Sequence, residues 1–355
     1  WAEIQDNLGN AYQKRTEGDR AENLEKAIAA RQFALQVFTK EEFPQDWAMV
    51  QGNLGADYRI RIRGDRAENL EKAIGAYQSA LQVWTYESFP CEWAVAQNNL
   101  GNAYGDRIAG ERLENLKQAI AAQEAALTVW TREAFPEEWI KCQNNLCGNF
   151  LYLLTEVWAK SDGNQNYSQV VYPLLQAHLN KLDGDILTEY WQSFIKFMLF
   201  KAEPEEAKNI AVDIANLSGL FLDDSLGQKA TNLEIAIVGY ERIIAVLTRE
   251  AFSEKWAQTK HNLGFIYTYR IRGDRAENLE LAICYLKEAL KIRTIETFPE
   301  KWADTQDSLG MAYFHRIRGD RAENLELAIH CFEESLTIYT REAFLERWRD
   351  VKNHL

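Results

Sequence analysis

Histidine and cysteine are the residues from which this chain could build a catalytic or metal site, and it has five of each. The histidines are His178, His261, His315, His330 and His354; the cysteines are Cys91, Cys142, Cys147, Cys284 and Cys331. Catalysis needs a nucleophile, a base and an orienting group converging on one point. None of these residues stands in a motif that would supply the three. A pair such as Cys331 with His315 would lie on adjacent helices, with nothing around it to orient the base. Cys142 and Cys147 are about 140° apart around a helix of 3.6 residues per turn, so they do not face one ligand. An odd number of cysteines without metal spacing reads as free thiols of a reducing cytoplasm. There is no glycine-rich phosphate loop and no His/Cys metal spacing. The expectation is a non-enzymatic chain with no catalytic residues, metal or cofactor. Asn166-Tyr167-Ser168 and Asn216-Leu217-Ser218 match the glycosylation triplet, which matters only in a secreted protein.

Composition narrows the partners. The 355 residues carry 40 basic against 53 acidic side chains, a net charge of −13. A nucleic-acid backbone needs a basic face, and an anionic membrane surface is disfavoured for the same reason. No apolar run approaches the roughly 18–20 residues of a membrane span, and no signal peptide opens the chain. The partner expected is a protein or peptide, and the location expected is the cytoplasm.

The elements that would position a site come from a repeat. Tryptophans stand at Trp1, Trp47, Trp93 and Trp139, then at Trp256, Trp302 and Trp348, with steps of 46 residues inside each group. A fixed period of this kind marks a stacked array. The first helix of each unit begins near Pro44, Pro90, Pro136 or Pro299, where proline loses no hydrogen bond. Acidic residues follow, where the helix dipole favours them. The Phe before each proline, four residues from the Trp, is placed to pack its ring on the indole. A mid-helix glycine (Gly9, Gly55, Gly101, Gly264, Gly310) costs about 1 kcal/mol relative to Ala, and close approach of a neighbouring helix would offset it. Gly18, Gly64, Gly110, Gly273 and Gly319 are expected to end the first helix. Asp19, Asp65, Asp274 and Asp320 should cap the second, each with Glu three residues later. That second helix carries apolar residues at i, i+3, i+4 and i+7, one buried stripe.

The middle is irregular. Cys147 replaces the glycine, the loop at 159–165 is too long, Asn166–Lys181 can serve as a second helix, and Leu187–Ala202 reads as an extra apolar helix. This gives seven helix pairs, an extra helix and a truncated eighth unit, divided as regular repeats over 1–146, a degenerate segment over 147–209, and further repeats over 210–355. Trp1 is already in register and Leu355 falls in mid-helix, so the sequence looks like a piece of a longer protein whose uncapped ends could self-associate.

Asn7-Leu8-Gly9-Asn10-Ala11-Tyr12 followed by Ala27, Arg31 and Ala34, and Ala73, Tyr77 and Ala80 in the next unit, resemble the tetratricopeptide repeat (TPR). The longer period is similar to that of kinesin light chains and of bacterial arrays linked to CHAT protease or NTPase domains. The resemblance covers most of the chain and thins between 147 and 209. It implies an all-α, right-handed superhelix whose first helices line a concave groove for a peptide or a partner's helix, without catalysis. An alternative is a regulatory arm that restrains a linked effector domain.

The resemblance also implies which offsets face the groove. In the first unit these are Glu3, Asp6, Asn10, Gln13 and Lys14; in the third, Val95, Asn98, Asn102, Gly105 and Asp106. In the sixth they are Gln258, His261, Phe265, Thr268 and Tyr269; in the seventh, Asp304, Asp307, Met311, Phe314 and His315. The early offsets are polar and the late ones aromatic, as binding hot spots are. The candidate partner-binding residues are therefore Asn98, Asn102, His261, Phe265, Tyr269, Met311, Phe314 and His315. Asn7, Asn53, Asn99, Asn145, Asn216 and Asn262 form a ladder, in which Asn53, Asn99, Asn145 and Asn262 could bond a peptide backbone or else tie helices together. The recurring Arg61, Arg63, Arg66 cluster and its copies at 270–275 and 316–321 have salt-bridging and anion-binding readings. No lysine stands at the offset that would clamp a carboxylate, so a chaperone tail is not the expected ligand.

Overall fold

The computed structural model describes residues 1–160, 167–223, 226 and 228–354, apart from the side chains at 158, 159, 167–170 and 204. Among the described residues the chain is all-α, with no strand. It divides into two compact units, Trp1–Ile186 and Leu187–Leu355. The first holds α1 (Ala2–Lys14), α2 (Arg20–Ala34), α3 (Pro44–Ile60), α4 (Arg66–Ala80), α5 (Pro90–Asp106), α6 (Arg112–Ala126), α7 (Pro136–Lys160) and α8 (Tyr167–His178), with a 3-10 turn at Leu179–Lys181. The second holds nearly all of α9 (Gly184–Lys201), then α10 (Pro204–Leu220), α11 (Lys229–Ile243), α12 (Ser253–Tyr269), α13 (Arg275–Leu290), α14 (Pro299–His315), α15 (Arg321–Ile338) and α16 (Leu345–His354). Successive helices pack in pairs, and first helices also touch one another: α3 with α5, α5 with α7, and α12 with α14. Each unit is thus a helical-repeat array of the α-solenoid kind. Seven pairs, the additional α9 and the lone α16 appear in the expected order; the long loop of the degenerate repeat falls largely on 161–166, outside the described residues.

Local chemistry accounts for the period. Proline occupies the first turn of α3, α5 and α14. Asp19, Asp65, Asp274 and Asp320 cap α2, α4, α13 and α15 by accepting the backbone N–H of the Glu three residues on. Each such cap stabilises its helix by roughly 1 kcal/mol. Glu111 stands at that position before α6 and makes no side-chain cap. The glycine approach is also as expected. A Cβ on Gly55 would lie 2.8 Å from the Tyr77 ring, and one on Gly101 would lie 2.9 Å from the Ala119 carbonyl. The Phe43 ring meets Phe38 edge-on rather than a tryptophan, while Trp93 packs on Tyr86.

The loop glycines have a different task from the expected one. The first helices end three or four residues earlier, at an extended arginine such as Arg61 (φ −59°, ψ 131°). Gly64, with φ +80°, instead lies immediately before the Asp65 cap, in a conformation that suits glycine. The extended arginine is needed for a clamp between repeats. Arg61 donates from Nε and Nη2 to both oxygens of Glu25 (2.8 and 2.7 Å) and from Nη1 to Asn69. Asn69 in turn donates to the Arg63 carbonyl. The same set recurs as Arg107 with Glu71, Arg270 with Glu234 and Arg316 with Glu280. Arg61, Arg107, Arg270 and Arg316 are therefore engaged within the protein, and Arg66 bonds the Arg59 carbonyl.

At α7 both halves of the clamp are absent and the helix is longer. Lys117 takes the glutamate's place and Leu153 the arginine's, and α7 continues to Lys160 with Leu153 fully buried. In the second unit, α9 buries Trp191 in a stack on Phe194 and against Phe221. Its Phe200 is 87% exposed.

Candidate functional site

Two cavities in the second unit share one wall. The first, about 290 Å³, is lined by Phe221, Leu222, Asp223, Lys229, Asn232, Leu233, Phe265 and Tyr269. The second, about 310 Å³, is lined by Phe265, Thr268, Tyr269, Asp307, Ser308, Met311, Arg347, Asp350, Asn353 and His354. Phe265 and Tyr269 are one helical turn apart on α12, with ring centroids 5.0 Å apart. Phe265 remains 38% exposed. The period explains how the second cavity is assembled. Asp307 and Asn353 follow His261 by one and two periods, and Asp350 follows Asp304 by one. One face of α12, α14 and α16 therefore converges on this space. Asp350 and Asn353 were legible in the sequence as further members of the same offsets.

Charge around the second cavity is unevenly matched. Asp307 accepts from or pairs with His354 Nδ1 at 2.9 Å. Burial pushes the Asp307 carboxyl above the usual carboxylate range, against the opposing pull of His354. Arg347 reaches toward Asp304 at 3.9 Å, and Asp304 also accepts from the Tyr339 hydroxyl at 2.6 Å. Asp350 has no ion-pair partner among the described residues. On the side of the first cavity, the Lys229 ammonium lies 6.0 Å from the Tyr269 ring centroid. Burial raises the Tyr269 phenol above its ordinary pKa, with Asp307 adding to the effect.

Other expected groove residues face elsewhere. His261 belongs to a packed network around Arg293, which is 1% exposed. Arg293 donates to Thr305 and Glu254 (3.3 and 3.2 Å) and to Gln258. Thr305 donates its proton to the Lys301 carbonyl, so His261 Nδ1, 3.1 Å from Thr305 Oγ1, is the donor in that pair. The His261 ring keeps a little solvent access, yet burial and then the Arg293 charge push its pKa down to about 3. Met311 lines the second cavity. Phe314 and His315, packed edge to face at 5.2 Å, line neither.

In the first unit most of the polar offsets are spent on the protein itself, with Glu3 and Lys14 left exposed. Arg31 is fully buried and pairs with Asp57, with Asp6 at 3.4 Å and with Asn10 at 2.7 Å. Gln13 donates to the same Asp57 at 2.8 Å. Asn98 accepts from Asn145 (3.2 Å), and Asn102 accepts from Gln123 (3.1 Å). Three of the four ladder candidates are engaged in the same way: Asn53 donates to Asp6, Asn145 to Asn98, and Asn262 to the Tyr240 hydroxyl at 2.8 Å, whereas Asn99 is half-buried without such a bond among the described residues. The buried arginines had no sequence motif, but Arg31 at the position of Tyr77, opposite Asp57 at the position of Ala103, was a visible covariation between repeats.

Three of the five thiols are buried, and burial disfavours their reactive thiolate form. All five cysteines are free, and burial pushes Cys142 and Cys147 up to about 12 and Cys331 up to about 11. Among the described residues no group of three His, Cys, Asp or Glu side chains is placed to hold a metal ion, and no helix is long and apolar enough to cross a membrane. No protein-family model matches the chain, and comparison with the curated proteins finds no relative.

Proposed function

We propose that this chain is a non-enzymatic binding module of the tetratricopeptide type, holding a peptide or a partner's helix against the first-helix face of its second unit. The observation that carries this reading is the aromatic wall of Phe265 and Tyr269 on α12, flanked by a cavity on each side, the second of them lined from repeated offsets on α12, α14 and α16. Partly exposed aromatic side chains beside cavities are what a partner's side chains fill when they anchor an interface. The repeat strings Asn-Leu-Gly…Tyr and the paired-helix arrangement support the family reading.

The test is capture of immobilised random-sequence peptides by the labelled full chain and by the Phe265→Ala/Tyr269→Ala variant, with helicity verified by circular dichroism. Peptides held by the former and lost by the folded variant are the expected result. Equal capture by both would overturn the assignment of this wall.

A further inference from the structure

We propose that the groove selects a peptide segment carrying a lysine or arginine beside an apolar residue, the cation entering the cavity of Asp307 and Asp350 and the apolar side chain entering the cavity of Phe221 and Leu233. The inference deepens the proposed function and rests on it.

Three features carry it. The second cavity combines an aromatic face with carboxylates, and a ring face together with a carboxylate attracts a cation by two separate mechanisms. Its carboxylates outnumber its fixed cations: Asp307 and Asp350 line it against Arg347, which itself leans toward Asp304 at 3.9 Å. Asp307, partly withdrawn from water, is where an arriving cation gains most, because its carboxylate has lost hydration that His354 only partly replaces. The first cavity differs in character. Phe221, Leu222, Leu233, Phe265 and Tyr269 supply apolar walls, with Asp223 and Lys229 among the lining residues. Since Phe265 and Tyr269 belong to both cavities, one peptide crossing the rings would place side chains on either side. The chain's net charge of −13 favours a basic partner in long-range approach as well. This is opposite in sign to carboxylate capture by groove lysines.

The experiment extends the random-peptide capture to composition. The labelled full chain is compared with Asp307→Asn/Asp350→Asn, which keeps side-chain shape, and with Phe265→Ala/Tyr269→Ala. The expected result is enrichment of peptides pairing Lys or Arg with Leu, Ile or Phe. The Asp-to-Asn variant should lose the basic preference and bind such peptides about tenfold more weakly, equivalent to about 1.4 kcal/mol, while retaining the apolar preference. Added salt should weaken wild-type capture more than capture by the variant. Peptides captured through Phe265 and Tyr269 without basic enrichment would overturn this inference and leave the groove standing. Absence of any capture that depends on those two rings would overturn both.

Discussion

The groove offsets of the two units meet opposite fates. In the first unit, Asp6, Asn10 and Gln13 converge with Asp57 on the buried Arg31, and Asn98 and Asn102 bond neighbouring side chains. In the second, Gln258 and His261 are similarly absorbed by the Arg293 network, but Phe265, Tyr269 and Met311 open onto cavities. The difference is chemical. A polar side chain near a buried guanidinium is drawn inward, because an unpaired buried charge is costly. An aromatic ring has no such claim on it and can remain half-buried at the surface. Variability among repeats therefore marks two things: positions released for a partner, and positions that compensate a change elsewhere in the repeat.

The largest effect should come from breaking the first network. Arg31→Ala strands Asp57 and Asp6 in the interior and should cost about 3–5 kcal/mol of stability by denaturant unfolding. Arg31→Tyr with Asp57→Ala, which imitates Tyr77 and Ala103 one period later in the same unit and leaves Asp6 with the amides of Asn10 and Asn53, should recover most of that loss. Failure of the double variant to exceed Arg31→Ala would show that the two repeats are not interchangeable in this way. Next is the helix contact common to both units. Gly101→Ala brings a methyl group to 2.9 Å from the Ala119 carbonyl and should destabilise by about 1–3 kcal/mol, despite alanine's better helix propensity.

The second network should respond to pH. His261 is held neutral in the folded chain, with its pKa near 3 against an unfolded value of about 6.5. Between those values the unfolded chain binds the proton and the folded chain does not, so its contribution to stability falls as pH drops through that window. Unfolding free energy measured across it should decline less steeply in His261→Leu than in the wild type. A smaller effect is expected at the clamp: Arg316→Ala should cost no more than about 1 kcal/mol, since the pair with Glu280 is partly exposed.

Much of the fold was legible because each signal recurred in phase: proline at the first turn, the Asp cap, and glycine under Tyr77 or Gln123. The helix ends were less so. Gly64 looked like a terminator, whereas Arg61 leaves the helix to reach Glu25 in the preceding pair, a contact between residues 36 positions apart. At α7, which continues to Lys160, Leu153 and Lys117 stand in place of both halves of the clamp and Leu153 is buried instead. At the candidate site, Phe265, Tyr269 and Met311 could be read from their offsets, but the inward turn of His261 depended on Arg293 from the loop that follows α13. No spacing within one helix records that.

The central claim is that the aromatic wall of the second unit, not the polar offsets of the first, anchors the ligand. The direct measurement is calorimetric titration of one captured basic peptide into the full chain, into Phe265→Ala/Tyr269→Ala, and into Asn98→Ala/Asn102→Ala. The account predicts a loss of about 2 kcal/mol or more for the aromatic variant and unchanged affinity for the asparagine variant. A peptide that binds the aromatic variant as tightly as the wild type, and is lost by the asparagine variant, would contradict it.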